Sequence, residues 1–323
     1  MQKLVLENRN HQIIFLNHGA TIYQWIVKSK NRNIVLTNAD LDDYKSSDSA
    51  FLGTTIGRVT NRIRDGKFYL DNQLYQLEKN FDNNLNAGHG GPKGLWNQVF
   101  QVDYSDNSKI TFKHIEKDLE AGFPGDLWVT VTYLLHDDGL EIQYQASTTK
   151  KTIINLTNHT YFNLSGEQTI LNHRLKISSH RYLMADATNA VTGEIVDASN
   201  TKMDLRKAQT IKDIFLDPAL NTNQYQGLDH CYLLDEPYEI ELAAADLKLI
   251  VTTTYPAVQV YTMGFPPNQK LLDGKKPSKY KGIALECQFE TDAINHRNFS
   301  NIIYDKNQTY FEKIIFQIQE KGE

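Results

Sequence analysis

Thr152 to Gly166 reads TIINLTNHTYFNLSG, and the fold turns on this stretch. Successive side chains of a strand point to opposite faces. A two-residue period therefore groups Asn155, Thr157, His159, Tyr161 and Asn163 on one side and Leu156, Phe162 and Leu164 on the other. The spacing predicts a strand with one apolar face and one face of hydrogen-bonding groups. An imidazole flanked by amides and a phenol has partners able to hold its tautomer and orientation, which suits the wall of a polar pocket. For a lone histidine the plainer reading is a satisfied structural group, so the rest of the chain has to decide.

Outward from this stretch, short alternating or β-branched runs recur at Lys3 to Leu6, Gln12 to Leu16, Thr21 to Val27 and Asn33 to Thr37, each closed by Asn, Gly or Asp. KFYL and QLYQL, with Asp71 and Asn72 between them, read as a hairpin whose turn residues accept positive φ. Leu127 to Leu135 and Leu140 to Thr148 form a second hairpin about Asp137, Asp138 and Gly139, and Tyr238 to Thr254 a third about Ala245 and Asp246. Only Lys207 to Phe215 and Leu41 to Ser49 invite a helical turn. So many strands cannot lie in one open sheet, and the expected fold is all-β, a large antiparallel β-sandwich. No repeat or Pro-rich linker divides residues 1–323, so one domain is expected.

The 323 residues are 40% hydrophobic and 23% charged with a net charge of -5, which leaves no electrostatic footprint for nucleic acid or an anionic membrane. Cys231 and Cys287, far apart and without CxxC spacing, suggest neither a disulfide framework nor a zinc site. They fit small buried hydrophobes in a reducing compartment. The start MQKLVLENRNHQ lacks an apolar leader and eighteen consecutive apolar residues occur nowhere, so a soluble, cytoplasmic protein is expected.

Four further stretches depart from plain alternation. GTTIGRVTNRIRDGKF, Gly53 to Phe68, crowds Arg58, Arg62 and Arg64 among glycines and Asn61. A guanidinium can grip a sugar or carboxylate oxygen with two donors, although Arg58 and Arg64 read equally well as solvated loop residues. His89 sits against Gly90 and Gly91, where a ligand can approach the backbone, yet the pattern lacks the ending of a phosphate loop. In GLDHCYLL, Asp229 precedes a strand, where a turn cap is the ordinary role. In KGIALECQFETDAINHRNF, Ile283, Leu285, Cys287 and Phe289 face one way and Glu286 and Gln288 the other. A carboxylate among apolar residues is costly to bury unless used, which makes Glu286 a candidate general base, the plainer alternative being a surface glutamate.

Taken in order, GTTIGRVTNRI, HGGPKGLWNQVF, EAGFPGDLWVTVTYLL, NLTNHTYFNL, GLDHCYLL and LECQFETDAINHRNF closely resemble the aldose 1-epimerase (galactose mutarotase) family from Gly53 to Phe299. The resemblance implies a single β-sandwich domain, no metal and no organic cofactor, and interconversion of the anomers of a free aldose. It implies catalytic roles for Glu286 as general base, His159 as general acid and His89 as a second active-site histidine. It implies sugar binding by Arg62 and Asp229, with Asn61 and Gln288 as weaker correspondences. After VQVYT the family continues Gly-Asn-Phe-Leu, whereas this chain has Met263 to Pro267, which puts the loop flanking the site, and the preference among sugars, in question.

The residue types suit that chemistry. Ring opening removes a proton from the C1 hydroxyl and adds one to the ring oxygen, two transfers each worth about 10²- to 10⁴-fold from a positioned acid or base. A monosaccharide is the expected partner, acted on by a monomer or homodimer. Competing readings are a non-catalytic sugar-binding protein stacking its ligand on Trp96, Tyr161 or Phe265, a metal enzyme using His89, His159 and Glu286, and an epimerase for a phosphosugar or for a disaccharide such as maltose.

Overall fold

A computed structural model describes residues 1–221 and 227–321. Two large antiparallel sheets dominate. One has nine strands, in the order Gln101–Ser105, Lys109–Glu116, Leu127–His136, Gly139–Thr148, Tyr310–Glu320, Leu247–Thr253, Glu239–Ala243, Arg174–Ile177 and Gln209–Thr210. The other has six, Tyr161–Phe162, Ile283–Gln288, Ala257–Tyr261, Asp229–Leu233, Arg181–Ala185 and Val191–Asp197. A four-stranded sheet of Lys3–Glu7, His11–Leu16, Thr21–Val27 and Arg32–Asn33 lies alongside.

The sandwich follows from period-two patterning. Val129, Val131 and Tyr133 of one hairpin arm, Leu140, Ile142 and Tyr144 of the other, and Ile314, Phe316 and Ile318 turn inward with no more than a few per cent exposed. From the six-stranded sheet Val258, Val260, Ile283, Leu285 and Cys287 meet them in the same core. At about 25 cal/mol per Å² of apolar surface removed from water, this seam is the main favourable term that holds the sheets together. Both cysteines are buried and free.

The expected hairpins form. Asp71 and Asn72 take φ of 48° and 63° between Lys67–Leu70 and Gln73–Gln76, as a two-residue turn requires. Leu127–His136 pairs Gly139–Thr148 from Leu127 opposite Thr148 to His136 opposite Gly139, so Gly139 belongs to the strand rather than the turn. A Cβ there would stand 1.9 Å from the Phe316 carbonyl oxygen. The Asn33 to Thr37 strand shrinks to Arg32–Asn33 plus a bridge from Val35 to Phe162. The helical expectations reduce to Ile211–Ile214, capped by Thr210, and two 3-10 turns at Asp42–Lys45 and Ser47–Ser49.

Thr152 to Gly166 is not one strand but three two-residue strands with three partners. Thr152–Ile153 pairs Ile303–Tyr304, Thr157–Asn158 pairs Thr55–Ile56, and Tyr161–Phe162 pairs Ile283–Gln288. Alternation survives the breaks because Leu156, Phe162 and Leu164 still anchor in the main core. Side chains satisfy the backbone where the ladder fails. Asn155 exchanges hydrogen bonds with the Phe289 backbone, and Thr157 Oγ1 donates to the Cys287 carbonyl at 2.7 Å. Tyr255 Oη donates to the Leu156 carbonyl while the Leu156 N–H donates to Tyr310 Oη. No helix among the described residues is long and apolar enough to cross a membrane.

Candidate active site

The six-stranded sheet turns its other face away from the core, and the register there arranges side chains in rows. Tyr161 lies opposite Ala284, Ala284 opposite Tyr261, and Tyr261 opposite Asp229. The next row runs from Glu286 to Gln259 to Cys231. Tyr161, Tyr261 and Asp229 of the first row and Glu286 and Gln259 of the second form the floor of a cavity of about 200 Å³. Phe51, Phe81, His89, His159 and Phe265 wall it, with Asn61 and Arg62 at its side.

His159 sits between two of the short strands, where its N–H donates to the Thr54 carbonyl and its carbonyl accepts from Gly53 N–H. His89 is held by reciprocal bonds with Asn61: His89 N–H donates to the Asn61 carbonyl, and Asn61 N–H donates to His89 Nδ1 at 3.2 Å. The chain turns sharply here, and a Cβ on Gly90 would lie 1.9 Å from the Gly57 carbonyl oxygen. The two imidazoles stand 5.2 Å apart at 81°, and Phe51 packs on both.

Glu286 is 2% exposed and His159 4%, and Glu286 Oε1 is 3.5 Å from His159 Nε2. Glu286 Oε2 and His159 Nδ1 are buried without a hydrogen-bond partner, in an interior where such groups are costly. Glu286 is therefore not the surface carboxylate its spacing also allowed. Burial, reinforced by the nearby Asp229 charge, pushes its carboxyl well above the usual range. Burial pushes His159 down to about 4 and His89 well below the usual histidine value. A raised carboxylate is a stronger base and a depressed imidazolium a stronger acid, so proton exchange in this pair runs toward the neutral form of each group.

Arg62 is oriented by Asp82, a residue without a sequence signal of its own. Its Nε and Nη2 donate to the two Asp82 oxygens at 2.9 and 3.1 Å, and Nη1 donates to Asn61 Oδ1. Asn86 and Asn189 fix Asp82 in turn. Asp229 accepts from Gln259 Nε2 at 2.5 Å. Gln259 and Tyr261 likewise carry no local sequence signal, because cross-strand register, not local pattern, brings them beside Glu286 and Asp229.

Glu286, His159, His89, Arg62, Asn61 and Asp229 thus converge, and Gln288 does not. It shares the Glu286 face but lies one row further along, about 7 Å away, where its amide donates to the Phe289 carbonyl and Thr291 Oγ1. Arg58, in the bend between Thr55–Ile56 and Arg62–Ile63, is not a solvated loop residue either. It is fully buried, 3.2 Å from Glu116, and donates to the carbonyls of Pro124 and Gly125 and to Thr152 Oγ1. Arg64 is half-buried against Asp186. Of the aromatics, Tyr161 and Phe265 line the cavity, while Trp96 packs behind Phe51.

His89, His159 and Glu286 offer ligand atoms within 4.8 Å of one another. The donor set suits a metal poorly. With Nδ1 accepting from Asn61 N–H, the neutral His89 ring carries its proton on Nε2, so it presents a donor rather than a lone pair.

A family model described as aldose 1-epimerase matches residues 2–317. The chain is 33% identical to galactose mutarotase of Rattus norvegicus over 96% of this chain and 92% of that one. It is 32% identical to aldose 1-epimerase of Escherichia coli K12 over 91% and 87%. Among solved structures, an aldose epimerase homologue from C. elegans superposes with TM-score 0.91 at 25% identity, covering 99% of both chains. Galactose 1-epimerase from Lactobacillus acidophilus does so with TM-score 0.87 at 26% identity, covering 99% of this chain and 95% of that one.

Proposed function

The chain belongs to the aldose 1-epimerase family, and from that membership and the buried acid-base pair we propose that it interconverts the α and β anomers of a free hexose such as glucose or galactose. The observation that carries the reading is the convergence of Glu286 and His159, 3.5 Å apart in one cavity, each with an unpartnered buried polar atom.

Glu286, as carboxylate, takes the proton of the C1 hydroxyl while His159, as imidazolium, protonates the ring oxygen. The C1–O5 bond breaks and C1 becomes an aldehyde. Glu286 is then a neutral acid and His159 a neutral imidazole, the form that burial favours, so the low-dielectric cavity stabilises the state accompanying the open chain. Rotation about C1–C2 presents the other face, and closure returns both protons. No net proton is consumed.

His89, donating from Nε2, supports the charge developing on the ring oxygen. Arg62, held by Asp82, and Asp229, held by Gln259, grip hydroxyls on the far side of the ring, and Asn61 fixes both His89 and Arg62. A lectin needs no such acid-base pair. The whole chain works as one unit, since a single core draws residues from Leu4 to Ile318, and its two buried free thiols suit a reducing cytoplasm. Optical rotation of freshly dissolved α-glucose or α-galactose tests the proposal: enzyme accelerates the drift to equilibrium, and a drift no faster than buffer alone refutes it.

A further inference from the structure

The segment bearing His159 and the strand bearing Glu286 pair as a ladder at only two places, Tyr161 opposite Ala284 and Phe162 opposite Ile283. The ladder stops short of the catalytic pair, and side chains join the two segments beyond it. Thr157 Oγ1 donates to the Cys287 carbonyl at 2.7 Å. Asn155 Oδ1 accepts from the Phe289 N–H at 3.0 Å, and its Nδ2 donates to the Phe289 carbonyl at 3.2 Å. We propose that Thr157 is a positioning residue for the proton exchange: its hydroxyl ties the residue next to Glu286 to a point two residues before His159, and so sets the 3.5 Å separation of the pair. This rests on the mutarotase reading of the cavity.

Such a tie works only if its anchor is rigid. Leu156, between Asn155 and Thr157, is gripped by two phenols that are themselves fully buried. Its N–H donates to Tyr310 Oη at 3.0 Å, and its carbonyl accepts from Tyr255 Oη at 2.6 Å. The two phenol oxygens lie 2.5 Å apart. A phenol has one proton, and that of Tyr255 goes to Leu156, so Tyr310 donates to Tyr255 and the three bonds close a ring with a single proton arrangement. On the other side Thr157–Asn158 pairs Thr55–Ile56, and Asn158 Nδ2 donates to the Gly53 carbonyl at 2.9 Å. Each residue from Asn155 to Asn158 is thus held, and His159 follows directly.

Thr157, Tyr255 and Tyr310 are buried, and none of them lines the cavity. Loss of the Thr157 hydroxyl therefore leaves the groups that grip the sugar in place and acts on the relative placement of acid and base. Both must reach one sugar at once, the base at the C1 hydroxyl and the acid at the ring oxygen, and a displacement of about 1 Å costs about 10²-fold in rate. The signature is a fall in kcat with little change in KM.

Polarimetry with glucose and crystal structures of the same variants give the test. Thr157→Val keeps the shape and removes the donor, and it should lower kcat about 10- to 100-fold while KM moves by less than about threefold. Thr157→Ser, which keeps the donor, should stay within about threefold of wild type. Added to Glu286→Gln, Thr157→Val should cost less than about threefold more, because a residue that acts through the pair has little left to act on. The contact between Glu286 and His159 should lengthen by about 1 Å in Thr157→Val. Tyr310→Phe breaks the ring and should show the same split between kcat and KM, and it decides the matter should Thr157→Val not fold. Wild-type kcat in folded Thr157→Val, a rise in KM at constant kcat, a Thr157→Ser protein as slow as Thr157→Val, losses that add to those of Glu286→Gln, or an unmoved contact overturns the positioning role and leaves the mutarotase reading intact. A wild-type protein that does not turn over glucose overturns that reading, and the length of the contact in Thr157→Val then tests the tie by itself.

Discussion

At the scale of single residues, the site depends on how buried charges are held. Removing the Arg62 guanidinium should raise KM about 10- to 100-fold with a smaller change in kcat, since charge-assisted hydrogen bonds contribute about 1.5–3 kcal/mol. Asp82 acts through Arg62. Asp82→Ala should therefore raise KM in the same direction, and the double variant Arg62→Ala/Asp82→Ala should be no worse than Arg62→Ala alone. Additive losses in steady-state kinetics would separate the two residues. The shared proton also sets a pH profile. Because His159 is depressed to about 4, kcat/KM should stay flat from pH 7 to 5. A rise centred near 6.5 as the pH falls would mean that His159 takes up its catalytic proton as an imidazole does in water. At this scale the sequence was informative where chemistry is local: a carboxylate among Leu285 and Cys287, and an imidazole among amides, announced themselves. Asp82 did not, because an Asp in an Asn-rich turn has the same pattern whether or not an arginine reaches it.

At the scale of elements, register separates what pattern joins. A two-residue period puts Glu286 and Gln288 on one face, which is correct, and says nothing of rows, so Gln288 falls outside the cavity. The same limit hides Gln259 and Tyr261, which meet the site only through pairing between Ala257–Tyr261 and Ile283–Gln288. The alternation in Thr152 to Gly166 was legible because apolar Leu156, Phe162 and Leu164 must all reach the core. Its breaks were not, since they depend on three distant partners. Arg58 ties this segment to the turn before Leu127–His136 through Thr152, Pro124 and Gly125. Arg58→Met strands Glu116 as a buried, unpaired carboxylate and should cost about 3–5 kcal/mol in urea unfolding. Arg58→Met with Glu116→Leu should restore most of that. No restoration would show that the ion pair is not the source of the loss.

At the scale of the whole molecule, the sandwich was legible because fold class follows from counting alternating runs and turns, which needs no tertiary information. Burial then sets how the fold responds to acid. His11, His18, His89, His114, His159, His173 and His230 are all depressed, chiefly by burial. Below pH 6.5 the unfolded chain takes up protons that these groups in the folded chain refuse, so stability present above 6.5 is lost as pH falls. Glu116, Glu286 and Glu312, raised by burial, act in the opposite sense but are fewer. The melting temperature should fall between pH 7 and 5, and a rise would mean that the glutamates dominate.

The most direct test of the site is polarimetry on Glu286→Gln. The amide keeps the shape of the side chain and removes the base. Turnover of α-glucose should drop by about 10²- to 10⁴-fold while the circular dichroism spectrum and melting curve stay close to wild type. A correctly folded Glu286→Gln protein with near wild-type kcat would contradict the proton exchange between Glu286 and His159.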